Sequence, residues 1–277
     1  MSKLLSANFM RLRKSKEFWL CAVSTLLIAV VMIYTGAETA SSMIDRGFIR
    51  NLDDFYFQLA PYTGAIMAIF VSLFLGTEYS DGTIRNKLIV GHTRKDIYLA
   101  NFLTCLASGI IITSLWFIGG LPGMRLIGNF EMKISEVIVY FLVALGITAA
   151  FTAIFVCISS LSRNKAITVV LVLVLWVAMS LAGSGIYDRL HELEFNGGMA
   201  LINGEFVMME DTPNPLYLTG SARTIVECLY RLLPTGQAVA MTCVEITTPV
   251  LDIVASLIVT AIMTMLGILM FRKKDLK

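Results

Sequence analysis

The chain has 277 residues, 57% hydrophobic and 15% charged, with a formal net charge of +2 and a mean hydropathy of +0.77. A soluble domain carries about 25% charged residues, so this composition excludes a water-soluble globular protein. The small net charge says little, because in a membrane protein the distribution of charge matters more than its sum; no nucleic-acid partner is expected.

Residues 1–17 alternate apolar and basic character with helical period. Leu5, Phe9 and Leu12 fall at i, i+4 and i+7, while Arg11, Arg13 and Lys14 lie off that stripe. The pattern predicts an interfacial helix with its cations toward anionic headgroups. Six apolar runs follow, at about 18–36, 59–76, 98–121, 137–160, 166–186 and 250–271, each near the ~20 residues that cross a hydrocarbon core as helix. The first run follows a basic start, as a signal peptide does. It is longer than a signal h-region, and Glu38 spoils the nearest cleavage site, so it reads as a retained span.

Six spans put both termini on one side. That side carries 15 of the 22 lysines and arginines and five of the 20 acidic residues (Glu17, Glu78, Asp81, Asp96 and Asp275). The other side has Arg46, Arg50, Arg125, Lys133, Arg189, Arg223 and Arg231. The positive-inside rule therefore predicts cytoplasmic termini. The expected fold is an all-α polytopic membrane protein, a single domain over 1–277. It has six transmembrane helices, an amphipathic N-terminal interfacial helix, a short cytoplasmic helix between spans 2 and 3, and a structured outer segment between spans 5 and 6.

The cytoplasmic loop 77–97 has more internal structure than an orientation signal needs. Gly82-Thr83 breaks the second span and offers Thr83 as an N-cap. Ile84 and Leu88 stand one turn apart, Arg85 and Lys87 lie on other faces, and Gly91 is a C′ stop. Thr93-Arg-Lys-Asp96 reads as a capping box for the third span. A two-turn helix is too short to be stable alone in water, so it needs a surface to sit on.

The outer segment 187–249 holds Asn203-Gly204 between apolar residues, a strong hairpin signal. Thr224–Leu233 is apolar enough for an amphipathic or re-entrant helix, and the stretch ending Leu-Leu-Pro-Thr-Gly-Gln237 breaks the chain before the last span. This segment is either a lid on its own spans or a surface for substrate. Of the five cysteines, Cys21, Cys105 and Cys157 lie in apolar runs and read as small buried hydrophobes. Cys228 and Cys243 share the polar outer segment, and spacing alone does not decide whether they pair.

No span carries an ionisable residue near its centre, as proton relays and ion-coupled transporters do. His92 and His191 sit in no HExxH and beside no GxSxG, and there is no GxxxxGK[ST] phosphate loop. No catalytic or metal-binding residues are expected, and energy for any uphill transport must come from another chain.

The stretch Glu78-x-x-x-Gly82-Thr83-x-x-x-x-Leu88-x-x-Gly91-x-Thr93-Arg94 resembles the cytoplasmic signature of ABC type 2 transporter permeases, the membrane subunits of ATP-binding-cassette exporters of the type V fold. The basic start, the six spans and the ending Phe271-Arg-Lys-Lys-Asp-Leu276 resemble that family in layout. Bacitracin- and lantibiotic-resistance permeases are the most similar in size and arrangement. Two positions depart from the pattern: Gly91 stands where the family has Pro, and Asn101 where Lys is common.

The resemblance implies a multi-pass protein of the bacterial cell membrane, partnered by a cytoplasmic ABC ATPase subunit, a second permease copy or a related permease, and membrane lipids. ATP and magnesium would be held by the ATPase, with no cofactor in this chain. The expected substrate is amphipathic: an antimicrobial peptide, a drug or a lipid. The ATPase-coupling residues would be Glu78, Gly82, Thr83, Ile84, Arg85, Lys87, Leu88, Gly91, Thr93 and Arg94. Among them Ile84 and Leu88 would fill an apolar cleft of the ATPase. Arg85, Lys87 and Arg94 would pair with its acidic rim, and Glu78 would brace the helix against a basic partner or the amino-terminal helix. The alternative is a non-transporting immunity or sensor protein that binds an antibiotic or peptide through its outer loop.

Overall fold

A computed structural model describes residues 1–48, 51–162, 164–202 and 205–274. Arg50, Arg163, the Asn203-Gly204 turn, and Asp275, Leu276 and Lys277 at the carboxyl end lie outside the described residues.

The chain begins with α1 (Ser2–Lys14) and α2 (Lys16–Ile44), which meet at a corner. Ser15 makes the corner: its backbone is extended, and its hydroxyl accepts from the Phe18 N–H as the N-cap of α2. Leu4, Asn8 and Leu12 are the buried residues of α1, which packs on α6 (Arg94–Gly120). Of the expected stripe Leu12 is buried and Phe9 is exposed, and the protein-facing row of Leu4, Asn8 and Leu12 includes an amide.

The remaining spans are α4 (Ala60–Ser80), α6, α8 (Ile134–Leu161), α9 (Lys165–Leu190) and α12 (Pro249–Lys273), which with α2 make, among the described residues, six helices long and apolar enough to cross a membrane. Short helices α3 (Asp53–Tyr56), α5 (Thr83–Ile89) and α7 (Gly123–Leu126) connect them. The helices outrun the apolar runs that predict them. At 1.5 Å per residue the 29 residues of α2 reach ~44 Å, against a ~30 Å hydrocarbon core.

Helix α8 is the hub and packs against α4, α6 and α12. In lipid no hydrophobic force drives helices together, so close packing and interhelical hydrogen bonds must. Thr113 of α6 and Thr148 of α8 share a buried hydroxyl contact of 2.8 Å. Buried stacked rings pair along α4, Phe70 with Phe74, and along α8, Phe151 with Phe155; Phe70 also meets Phe18 of α2 edge-on. Helices α9 and α12 leave most of their apolar surface uncovered, including Ile167, Val170, Val174 and Leu181 of α9.

At the end of the bundle away from α5 lies an antiparallel hairpin of β1 (Phe195–Ile202) and β2 (Glu205–Pro213), with Ile202 opposite Glu205. Next come α10 (Gly220–Leu232) and α11 (Pro234–Thr242). The chain break expected up to Gln237 is confined to Leu233, because Pro234 opens α11 in the first-turn position that proline favours. Gln237 is buried instead: its amide donates to the Asp252 carbonyl at 3.1 Å and its oxygen accepts from Ser256 at 2.8 Å. Arg231 pairs with Asp252 at 2.9 Å, tying α10 to the start of α12. Cys228 and Cys243 are exposed and unbonded.

Candidate coupling site

Only Asp81 and Gly82 separate α4 from α5, so the chain must turn within two residues. Gly82 does this with φ +66°, a left-handed conformation that a side chain disfavours. It therefore occupies the N-cap position, which corrects the expected role of Thr83. Thr83 is the first helical residue, and its hydroxyl donates to the Glu78 carbonyl at 3.0 Å, satisfying an open carbonyl at the end of α4.

The far end of α5 closes as a Schellman motif. The Gly91 N–H bonds to the Leu88 carbonyl and the His92 N–H to the Lys87 carbonyl, with Gly91 at φ +96°. Thr93 then caps α6. Its hydroxyl oxygen accepts from the Asp96 N–H at 3.1 Å, while its proton goes to the Asp96 carboxylate at 2.7 Å. In a full capping box the acidic side chain reaches the cap's backbone N–H; here it takes the hydroxyl.

Beneath α5 four elements meet at Glu78, whose side chain is 1% exposed. Its carboxylate pairs with Arg11 of α1 at 2.5 Å and with Lys87 of α5, and accepts from the Asn101 amide of α6 at 2.8 Å. Asn8 closes the ring, donating to the Asn101 oxygen at 2.8 Å and accepting from the Lys87 ammonium at 3.0 Å. The Arg11 guanidinium lies 3.8 Å from the centroid of the Phe74 ring, a cation–π contact. One carboxylate thus faces two cations, and the two asparagines link it to Lys87, while Nε and Nη2 of Arg11 are buried without a hydrogen-bond partner among the described residues.

Glu78 braces α5 against the amino-terminal helix. Lys87 turns into this ring rather than toward a partner. Ile84 is 3% exposed and is not free to fill another protein's cleft, whereas Leu88 packs half-buried against the same core. The apolar residues that α5 presents outward are Ile89 and Val90, 82% and 76% exposed, beside an exposed Arg85. The helix has two apolar edges, and the chain covers the one that the i, i+4 spacing marks.

Arg94 also departs from its expected role. Its Nη1 donates to the carbonyls of Phe271 (3.3 Å), Arg272 (3.0 Å) and Lys274, the open carbonyls at the end of α12. The Lys274 ammonium in turn donates to the Ser160 and Ser162 carbonyls at the end of α8, each at 2.9 Å, and lies 4.0 Å from the centroid of the Tyr79 ring. The Tyr79 hydroxyl donates to the same Ser160 carbonyl at 2.5 Å. The loop carrying α5 is therefore fastened to α1 and α6 through the Glu78 ring, and to α8 and α12 through Arg94, Lys274 and Tyr79.

Asn8, Asn101, Tyr79 and Lys274 were not among the expected site residues. A signal existed for the asparagines: each is an amide set in an otherwise apolar helical row, where burial demands a partner. Nothing local marked Tyr79 or Lys274.

No curated protein matches the chain at a significant level. The family model described as ABC-2 family transporter protein matches residues 4–179, more than half of the sequence, from α1 through the coupling loop into α9. The chain belongs to the ABC-2 family of transporter proteins and is one of its multi-pass membrane components.

Proposed function

We propose that the chain is the permease subunit of an ATP-driven exporter. A separate cytoplasmic ATPase grips the outer edge of α5, and a second copy of the chain or a related permease completes the path. Both termini and α5 face the cytoplasm, a reading supported by the excess of lysine and arginine on that side. ATP and magnesium belong to the ATPase, since this sequence has no phosphate loop. The spans carry no charge near their centres, which favours an amphipathic substrate moved outward over a bare ion.

The observation that carries the reading is the division of α5. One edge is anchored by Ile84 and Lys87, and the other leaves Ile89 and Val90 exposed at the tip of the loop. Two adjacent large apolar residues held in water on a capped, braced helix favour a partner that covers them. Closure of the ATPase would push this edge, and the ties of Glu78, Arg94 and Lys274 would pass the displacement to α1, α6, α8 and α12. The uncovered face of α9 is available to the second permease.

The test is co-expression with a candidate ABC ATPase subunit. Ile89→Asp with Val90→Asp should abolish copurification and lower ATP-dependent export at least about tenfold, the effect of losing ~1.4 kcal/mol or more of contact, while the permease stays monodisperse. Ile84→Ala should instead destabilise the permease itself by about 2–5 kcal/mol, as core truncations do. Unchanged export in the Ile89/Val90 variant would refute the assignment.

A further inference from the structure

A groove of about 610 Å³ runs between α6 and α12 on the outer surface of the bundle. Its walls are apolar, with Phe102, Leu257, Met265 and Leu269 among them, and Lys95 and Arg272 line one end. Lys95 is the second residue of α6 and Arg272 the last but one of α12, so both stand at the end of the bundle where α5 lies. Both are exposed, and neither is ion-paired among the described residues. Among the described residues no acidic side chain lines the groove. The neighbouring Asp96 is engaged by the Thr93 hydroxyl, and Asp275 lies outside the described residues.

From Leu257 to Arg272 the groove wall rises about 22 Å at 1.5 Å per residue. That exceeds the ~15 Å that one leaflet contributes to a ~30 Å hydrocarbon core. Two cations at headgroup level above an apolar channel of leaflet depth match one molecule with an anionic head and a hydrocarbon tail.

We propose that this groove binds an acidic glycerophospholipid, its phosphate held between Lys95 and Arg272 and an acyl chain laid along α12. Basic pockets between transmembrane helices on the cytoplasmic side suit such headgroups. A zwitterionic lipid brings its own ammonium toward the two cations, so the site discriminates by charge. A second copy of the chain is the poorer occupant, because helix packing there would cover two cations without supplying an anion. The inference rests on the proposed function only for naming the cytoplasmic leaflet.

The full-length chain is reconstituted in phosphatidylcholine nanodiscs containing a minor share of phosphatidylglycerol, and the lipid retained per chain after detergent exchange is counted by native mass spectrometry. The wild type should retain phosphatidylglycerol over phosphatidylcholine by about tenfold, falling to about twofold or less in Lys95→Gln with Arg272→Gln. Lys95→Arg with Arg272→Lys should restore the preference, which shows that the loss is not a folding defect. Ala261→Phe, which fills the groove without touching the cations, should also abolish retention. Arg125→Gln with Lys133→Gln, at exposed cations at the other end of the bundle, should leave it unchanged.

Preference retained in the Lys95/Arg272 glutamine variant would overturn the proposal, as would equal loss in the Arg125/Lys133 control. A change in assembly mass rather than lipid count in Ala261→Phe would also overturn it, in favour of a second copy. The measurement uses neither ATP nor an ATPase, so failure of the transport reading leaves it standing, and its own failure leaves transport standing.

Discussion

Replacing Glu78 by glutamine removes one negative charge while keeping the side chain's shape and an acceptor for Asn101. It strands Arg11 and Lys87, whose side chains are 30% and 17% exposed. Breaking a buried ion pair from one side costs about 3–5 kcal/mol, and the partial exposure of both cations reduces this to roughly 2–4 kcal/mol. The cost falls first on α5, which has only seven residues and too few internal hydrogen bonds to persist unsupported. At 1.36 kcal/mol per factor of ten, the amides of α5 should exchange with solvent roughly 30- to 900-fold faster. Hydrogen exchange read by mass spectrometry on the purified permease, comparing peptides from α5, α1 and α8, measures this directly.

Protection in α8 should be unchanged, because that helix does not enter the ring. Exchanging the whole group, with Glu78→Leu, Arg11→Met and Lys87→Met together, should restore most of the lost protection, since well-packed apolar residues of similar volume often replace a buried ionic group at no cost. If Glu78→Gln changed α5 exchange by less than about twofold, or loosened α8 as much as α5, the ring would not be the local anchor described above.

Two further substitutions probe the ends of the same loop. Gly91→Ala forces a side chain to φ +96° at a cost of about 1–2 kcal/mol, so the His92 amide in the closing turn should exchange roughly 5- to 30-fold faster, as hydrogen-exchange NMR or mass spectrometry would record. Arg94→Gln removes the cation that holds the last carbonyls of α12. A charge at a helix end contributes about 0.3–1 kcal/mol, so exchange in the last turn of α12 should rise severalfold while the middle of the helix stays protected.

Much of the fold was legible in the sequence because its rules are local. Apolar runs of span length announce helices that satisfy their own backbone in lipid. Gly91 and Thr93 announce a stop and a start because the bonds they make reach only a few residues along the chain. The Ser15 corner and the placement of Gly82 rather than Thr83 at the N-cap were also local events, yet they depended on how sharply the chain turns. Residue type alone does not state that.

The face of α5 was not legible. Spacing identified Ile84 and Leu88 as an apolar edge, and only the packed structure showed that the chain's own core covers it, leaving Ile89 and Val90 outward. The partners of Asn8 lie 79 and 93 residues away along the chain and those of Arg94 at least 177, and no periodicity records a contact at that range. By itself the sequence determined the six spans, the capped loop and the charge asymmetry, because backbone hydrogen bonding and hydrocarbon thickness act on each segment separately. Only the tertiary structure decided which side of each helix was consumed internally and which was left for a partner, because burial is a property of neighbours brought together by the fold.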